Sequence, residues 1–323
     1  MRRFGCLVLI SAVVIVGLLA GNFLYGWTAN GPLEEEKTVI IASGSSLSQA
    51  ARTLEQEGVL KSADSFLNRA KVFGGSEPIK AGEFNIPAAA SNSQVLNILQ
   101  GGQTVQRLVT IPEGTPSIIV HEKLMAEPLL NGEIPVPTEG SVLPDSYSFE
   151  RGEKRSAVLG RMQKAMQDTM TELWPKKTAA SVVNTPEEAV ILASIVEKET
   201  AVASERRTVA AVYSNRINRN MMLQADPTII YPITKGKPLG RRIRQSEIAA
   251  VNDYNTYAMV GLPKGPIANP GRASIEAVLN PVETEYLFFV ADGKGGHIFA
   301  NTYAEHQENV EKWFAIRRAR GEM

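Results

Sequence analysis

Residues 184–201 read "NTPEEAVILASIVEKETA", and the reading of this stretch decides how the long C-terminal half is folded. Thr185 is a good N-cap, Pro186 suits the first helical position, and Glu188 stands three residues after the cap to complete a capping box. A helix is predicted, and it carries Glu197 and Glu199 two positions apart. At about 100° per residue these carboxylates point to opposite faces, so only one of them enters any one cleft. On the helical wheel Leu192, Ile195 and Val196 share a sector with Glu199, whereas Val190, Ala193, Ser194 and Ala201 surround Glu197. Room for a bulky substrate favours Glu197. An apolar wall, which raises a carboxyl pKa and suits a general acid, favours Glu199. The wheel alone leaves both open, together with the plainer reading of two solvated helix residues.

Outward from this helix the text stays globular. Val209, Val212 and Ile217 mark a second helix that Asn220 ends, and a helical period runs from Lys154 to Trp174. "LQADPTIIY", residues 223–231, reads as a loop entering a strand, in which Gln224, Asp226 and Thr228 alternate and so project to one side. Residues 296–310, "GHIFANTYAEHQENV", read as a strand leading into a helix, with His297 and Glu305 as candidate cleft residues. Residues 151–323 are assigned to one mixed α+β domain.

Residues 103–150 are rich in strand and turn signals and are read as a connecting segment. Before them, residues 38–102 carry a β-branched run at Val39–Ile41, a Gly/Ser turn at Ser43–Ser46, and Leu47, Ala50, Ala51 and Leu54 at helical spacing. Further helices near Ser65–Val72 and Ser93–Leu99, with a short strand between, complete a small α+β module. Its "GSSLSQAARTL", residues 44–54, resembles the "GxxLxxIAxxL" helix of LysM modules, and that resemblance implies binding of N-acetylglucosamine-containing glycans.

From Phe4 to Trp27 the chain bears no charge, close to the roughly 20 residues that cross a hydrocarbon core. Arg2 and Arg3 precede this run and "LEEEK" follows it, so residues 1–28 read as a cytoplasmic tip and a single uncleaved transmembrane anchor, with the remainder extracytoplasmic. Cys6, the one cysteine, lies within the run, which excludes a disulfide framework and a cysteine zinc site. The 34 basic and 34 acidic residues cancel, leaving no electrostatic footprint for nucleic acid. The three histidines, His121, His297 and His306, lack i,i+4 spacing, so neither metal nor cofactor is expected.

Taken in order, "LASIVEKET", "NRINRNMMLQADPTIIY", "DYNTYAMVGLPKGPIANPG" and "HIFANTYAEHQENV" resemble the endolytic murein transglycosylase family (MltG, also called YceG-like) over nearly the whole chain. "EGSVLPDSY" stands where that family carries an "EGYLFPDTY"-like segment, with Ser141 and Val142 in place of bulkier aromatics. The resemblance implies a bacterial inner-membrane, single-pass enzyme whose periplasmic domain cuts the MurNAc-GlcNAc bond inside peptidoglycan glycan strands. It places the catalytic glutamate in "IVEKE", carried over to Glu197.

In such an enzyme the muramic C6 hydroxyl attacks the anomeric carbon to give a 1,6-anhydro end. One carboxyl then suffices as acid and later as base, because the nucleophile is tethered to the substrate. Substrate contacts are expected from Asn215, Gln224, Asp226, Thr228, Tyr254, Asn255 and Asn269, with Tyr254 and Tyr257 as stacking platforms. Two other readings are a peptidoglycan-binding tether without catalysis and a lysozyme-like hydrolase with Asp226 as second carboxylate. The family and the membrane location imply peptidoglycan synthases as partners and a role in ending strand elongation.

Overall fold

The computed structural model describes residues 2–42 and 44–322, and their side chains except those of residues 2–9 and 12. The chain divides into two compact units, residues 1–107 with 150–152 and residues 108–149 with 153–323.

The first unit begins with α1 (Arg2–Thr28) and continues β1 (Lys37–Ile41), α2 (Leu47–Gln56), α3 (Ala63–Phe73), β2 (Gly82–Ile86) and α4 (Asn92–Gly101). The strands pair antiparallel with Val39 opposite Phe84, which puts Val39, Ile41, Phe84 and Ile86 on one buried face. Ala51 and Leu54 of α2, Phe66 of α3 and Val95 and Leu99 of α4 close over that face. Two Ser-x-x-Gln capping boxes, Ser46 with Gln49 and Ser91 with Gln94, start α2 and α4. Trp27, at the end of α1, packs against Phe66 and Phe73 at ring distances of 6.2 and 5.8 Å.

The expected anchor falls partly outside the described residues, and the readings of Arg2, Arg3 and Cys6 as side chains fall wholly outside them, as does Ser43 of the expected turn. Among the described residues, no helix is long and apolar enough to cross a membrane.

In the second unit β3 (Arg107–Thr110, its first residue in the first unit) pairs with β4 (Ser146–Phe149), and α5 (Ser117–Ala126) lies between them in the chain. The strand-rich reading of 103–150 omitted this helix. Val120 and Leu124 of α5 join Ile111, Phe149 and, from α6 (Arg155–Leu173), Val158 and Met162 in one cluster.

The larger cluster forms around α7 (Pro186–Glu199), whose Leu192, Ala193, Ile195 and Val196 are fully buried. Burying each of the larger three stabilises the unit by about 1.5–3 kcal/mol. α8 (Arg206–Asn218), α9 (Asp226–Thr234) and α11 (Arg272–Leu279) pack on α7, while α10 (Gln245–Ile248) is a single turn. The hairpin β5 (Phe288–Ala291) and β6 (His297–Ala300) pairs Phe289 with Phe299, and α12 (Tyr303–Ala319) covers it.

Thr185 caps α7 as expected, accepting the Glu188 N–H at 3.2 Å, but the Glu188 carboxylate takes the N–H of Asn184 rather than that of the cap. The larger difference is α9, where a strand was expected. Pro227 sits in the first turn with Asp226 ahead of it, and the Ala225 N–H donates to Thr256 Oγ1. Tertiary hydrogen bonds here override the β-branched composition of "PTIIY".

Candidate active site

Glu199 is the last residue of α7, and Thr200 turns extended beyond it. Helices on several sides hold α7, so its end is a rigid mount for a side chain. The Glu199 carboxyl is buried, and its Oε1 has no hydrogen-bond partner among the described residues. Burial pushes its pKa up to about 7 and the Asp226 charge adds to the rise, while the Tyr213 hydroxyl and the Arg216 guanidinium oppose it. A carboxyl poised near neutrality is protonated often enough to donate and acidic enough to be regenerated.

Glu199 lines an open cavity of 290 Å³ together with Gln224, Asp226, Tyr257, Arg216 and His306. Asp226 is exposed at the start of α9, and its Oδ1 accepts the Tyr257 hydroxyl at 2.7 Å. Burial, reinforced by that bond, holds the Tyr257 phenol well above its ordinary range, so it stays a donor. Gln224 sits at φ +53°, a left-handed conformation that costs an ordinary side chain about 1–3 kcal/mol and that recurs at functional sites. Arg216 is fixed by donating from Nε to Leu287 O at 2.7 Å and from Nη1 to Leu223 O at 2.8 Å. His306 stacks on Phe288, and burial together with the Arg216 charge lowers its pKa.

Glu197 faces elsewhere. Its side chain is 5% exposed, Oε2 accepts the Gly271 N–H at 2.9 Å, and Oε1 lies 3.7 Å from Arg206. Gly271 is the N-cap of α11, so this carboxylate sits at a helix N-terminus and complements its dipole. Its surroundings are those of a packing anchor, and the acid/base role carried to Glu197 by resemblance fits Glu199 better on geometry.

The expected substrate residues divide in the same way. Gln224 and Asp226 reach the cavity, but the helical turn of α9 removes Thr228 from their side. Thr228 is fully buried and bonds Ala225 O and Thr256 Oγ1 at 2.7 and 2.9 Å. Asn215 donates to Thr284 O and Tyr286 O. Asn255, also fully buried, donates to Ile248 O and Ala250 O and accepts the Tyr257 N–H at 2.9 Å, which orients Tyr257. Asn269 is buried against Thr115, Ser117 and Val142.

Tyr254 packs on Tyr231 at 4.9 Å, away from Glu199. Glu305 is spent on the Asn301 and Thr302 N–H groups at the start of α12. His297 Nδ1 lies 2.8 Å from Glu205 Oε2.

Tyr213, Arg216 and His306 were not singled out from sequence as site residues. Tyr213 and Arg216 lie three apart on α8, a spacing that places them on one face with no motif to mark it.

A model of the YceG-like family matches residues 39–312. The chain is 27% identical to an endolytic murein transglycosylase of Bacillus subtilis strain 168, over 93% of this chain and 92% of that one. It is 30% identical to an endolytic murein transglycosylase of Streptococcus pneumoniae D39, over 93% of this chain but 64% of the longer relative. A crystal structure of a YceG-like protein from Listeria monocytogenes superposes with a TM-score of 0.52 at 27% identity, covering 85% of this chain and 98% of that one.

Proposed function

This chain belongs to the YceG-like family, and from that premise we propose that it is an endolytic murein transglycosylase whose acid/base is Glu199. The observation that carries the assignment is a buried carboxyl with its pKa raised to about 7 at the wall of a cavity it shares with Asp226. The relatives named endolytic murein transglycosylase support the reaction class.

Protonated Glu199 gives its proton to the glycosidic oxygen as the C1–O bond of N-acetylmuramic acid breaks. Positive charge that develops at C1 is favoured by the Asp226 carboxylate, which Tyr257 holds in place. The muramic C6 hydroxyl then closes on C1, and the Glu199 carboxylate takes its proton. The acid is thereby restored, a 1,6-anhydro ring forms, the other sugar leaves with a free C4 hydroxyl, and no water is consumed. One carboxyl in two roles suffices because the nucleophile belongs to the substrate.

The N-terminal helix is the anchor in this reading. The support for it is the uncharged run Phe4–Trp27, part of whose side chains lies outside the described residues and which is close to the roughly 20 residues that cross a hydrocarbon core. Ile10, Val13, Ile15, Val16 and Leu19 lie exposed around it. The second unit then works extracytoplasmically, and a cut close to the membrane ends elongation of a nascent strand beside a synthase. The α2 helix of the first unit carries the LysM-like string and is assigned to glycan binding.

Mass spectrometry of uncrosslinked glycan strands incubated with the full chain in detergent, beside Glu199→Gln, tests the reading. Anhydromuramic ends from the unsubstituted chain alone are expected. Reducing ends would replace the transglycosylase by a hydrolase using Asp226, and intact strands that co-sediment would leave a tether.

A further inference from the structure

Glu199 lines two cavities. Besides the one it shares with Asp226, it borders an opening of 350 Å³ walled by Thr200, Ala201, His297, Trp313, Arg320 and the glycines of the turn between β5 and β6. The two volumes, 290 and 350 Å³, lie at the lower edge of the range of pockets that hold small ligands, which begins at roughly 300 Å³. A single carboxyl at the seam of two pockets is the arrangement needed to protonate an oxygen joining two sugars.

The second pocket is built rather than incidental. Asp292 Oδ1 accepts the N–H groups of Lys294 and Gly296 at 2.6 and 3.0 Å, which fixes the turn. Gly293, at φ +76°, lies so close to α12 that a Cβ would come within 3.1 Å of Ile316 and 3.3 Å of Trp313. Arg320 closes the far side by donating to Gly293 O at 2.5 Å. The indole of Trp313 supplies a half-buried apolar plane, and glycines let the main chain approach a ligand closely. A pyranose has an apolar face for such a plane and hydroxyls for the polar rim.

We infer that the pocket floored by Trp313 binds the N-acetylglucosamine that departs, while the cavity of Asp226 holds the N-acetylmuramic acid. The orientation follows from charge, since Asp226 stands where positive charge develops at the muramic C1. The inference rests on the transglycosylase reading and adds the second subsite, which makes an internal cut possible because the strand continues on both sides of Glu199.

Binding and cutting are measured separately so that the two ideas fail separately. Full-length Glu199→Gln in detergent is titrated with purified uncrosslinked glycan strands, alone and combined with Trp313→Ala or with Ala201→Phe. The second substitution fills the pocket from an exposed position, and thermal unfolding checks that each protein is folded. An affinity loss of about tenfold with either substitution is expected, the scale of one good aromatic contact.

Unchanged affinity in both would overturn the subsite while leaving the reaction intact. Affinity loss together with uncut strands from the unsubstituted chain would support the subsite and overturn the reaction.

Discussion

The carboxylate of Glu197 accepts the Gly271 N–H at 2.9 Å, which ties the last turn of α7 to the start of α11. Two residues on, Glu199 makes no such tie and faces a cavity instead. The two glutamates should therefore fail in different ways. Glu197→Ala removes a charged hydrogen bond and is expected to cost about 1.5–3 kcal/mol of stability. The molecules that remain folded should cut strands within about threefold of the normal rate. Glu199→Gln should do the reverse, folding normally with cutting lost. Chemical denaturation paired with product analysis separates the two, and loss of cutting in folded Glu197→Ala would return the acid/base role to Glu197.

Glu199 also sets a pH dependence. Its pKa rises from 4.5 to about 7 on folding, so the folded chain keeps a proton there that the unfolded chain has lost between those values. Its neutral form favours the fold fully below pH 4.5, and that advantage disappears as pH rises through 7. Glu199→Gln has no charge to bury. Its stability relative to the unsubstituted chain should improve by on the order of 3 kcal/mol between pH 4.5 and 8. Cutting needs the protonated acid and should fall about tenfold per unit above pH 7. A rate still rising from pH 7 to 9 would be incompatible with Glu199 as the acid.

Asp226 acts on the same proton. Its charge is the second cause of the raised Glu199 pKa, so Asp226→Asn should move the alkaline fall in activity to lower pH. The same change removes the charge opposite C1 and should lower kcat on the order of 10–100-fold. Residual product should still carry anhydro ends. A switch in the identity of the ends, rather than in rate and pH profile, would make Asp226 a direct partner in hydrolysis.

Much of this was readable before the structure, and the unreadable part has physical causes. The cap Thr185 with Pro186 marks α7 where expected, and the helical spacing of Leu47, Ala50, Ala51 and Leu54 and the run Ser93–Leu99 mark α2 and α4, whose Ser-x-x-Gln boxes went unread. The α9 segment was read as a loop entering a strand, with Gln224, Asp226 and Thr228 alternating, and the bonds that overrule that reading come from Thr256, about thirty residues away. Choosing between Glu197 and Glu199 needed Gly271 and Asp226, which no spacing on α7 reports. Arg216 was not singled out, because nothing on α8 announces that its guanidinium holds the Leu287 and Leu223 carbonyls.

Asn269 is the sharpest case of a polar residue read as a sugar contact whose bonds are all internal. Its Oδ1 accepts the Val142 N–H at 3.1 Å, and its Nδ2 donates to Thr115 O and Ser117 Oγ at 2.9 and 3.0 Å. The amide thus joins the loop before α11 to segments 115–117 and 142. Asn269→Ala strands the buried Val142 N–H and opens a small void, a loss of about 2–4 kcal/mol. Glycan affinity of the folded protein should stay within about twofold of normal, because the side chain has no face toward either cavity bordering Glu199. Denaturation midpoints and strand titrations below the transition distinguish the roles. A variant of full stability with weakened binding would restore Asn269 to the substrate site.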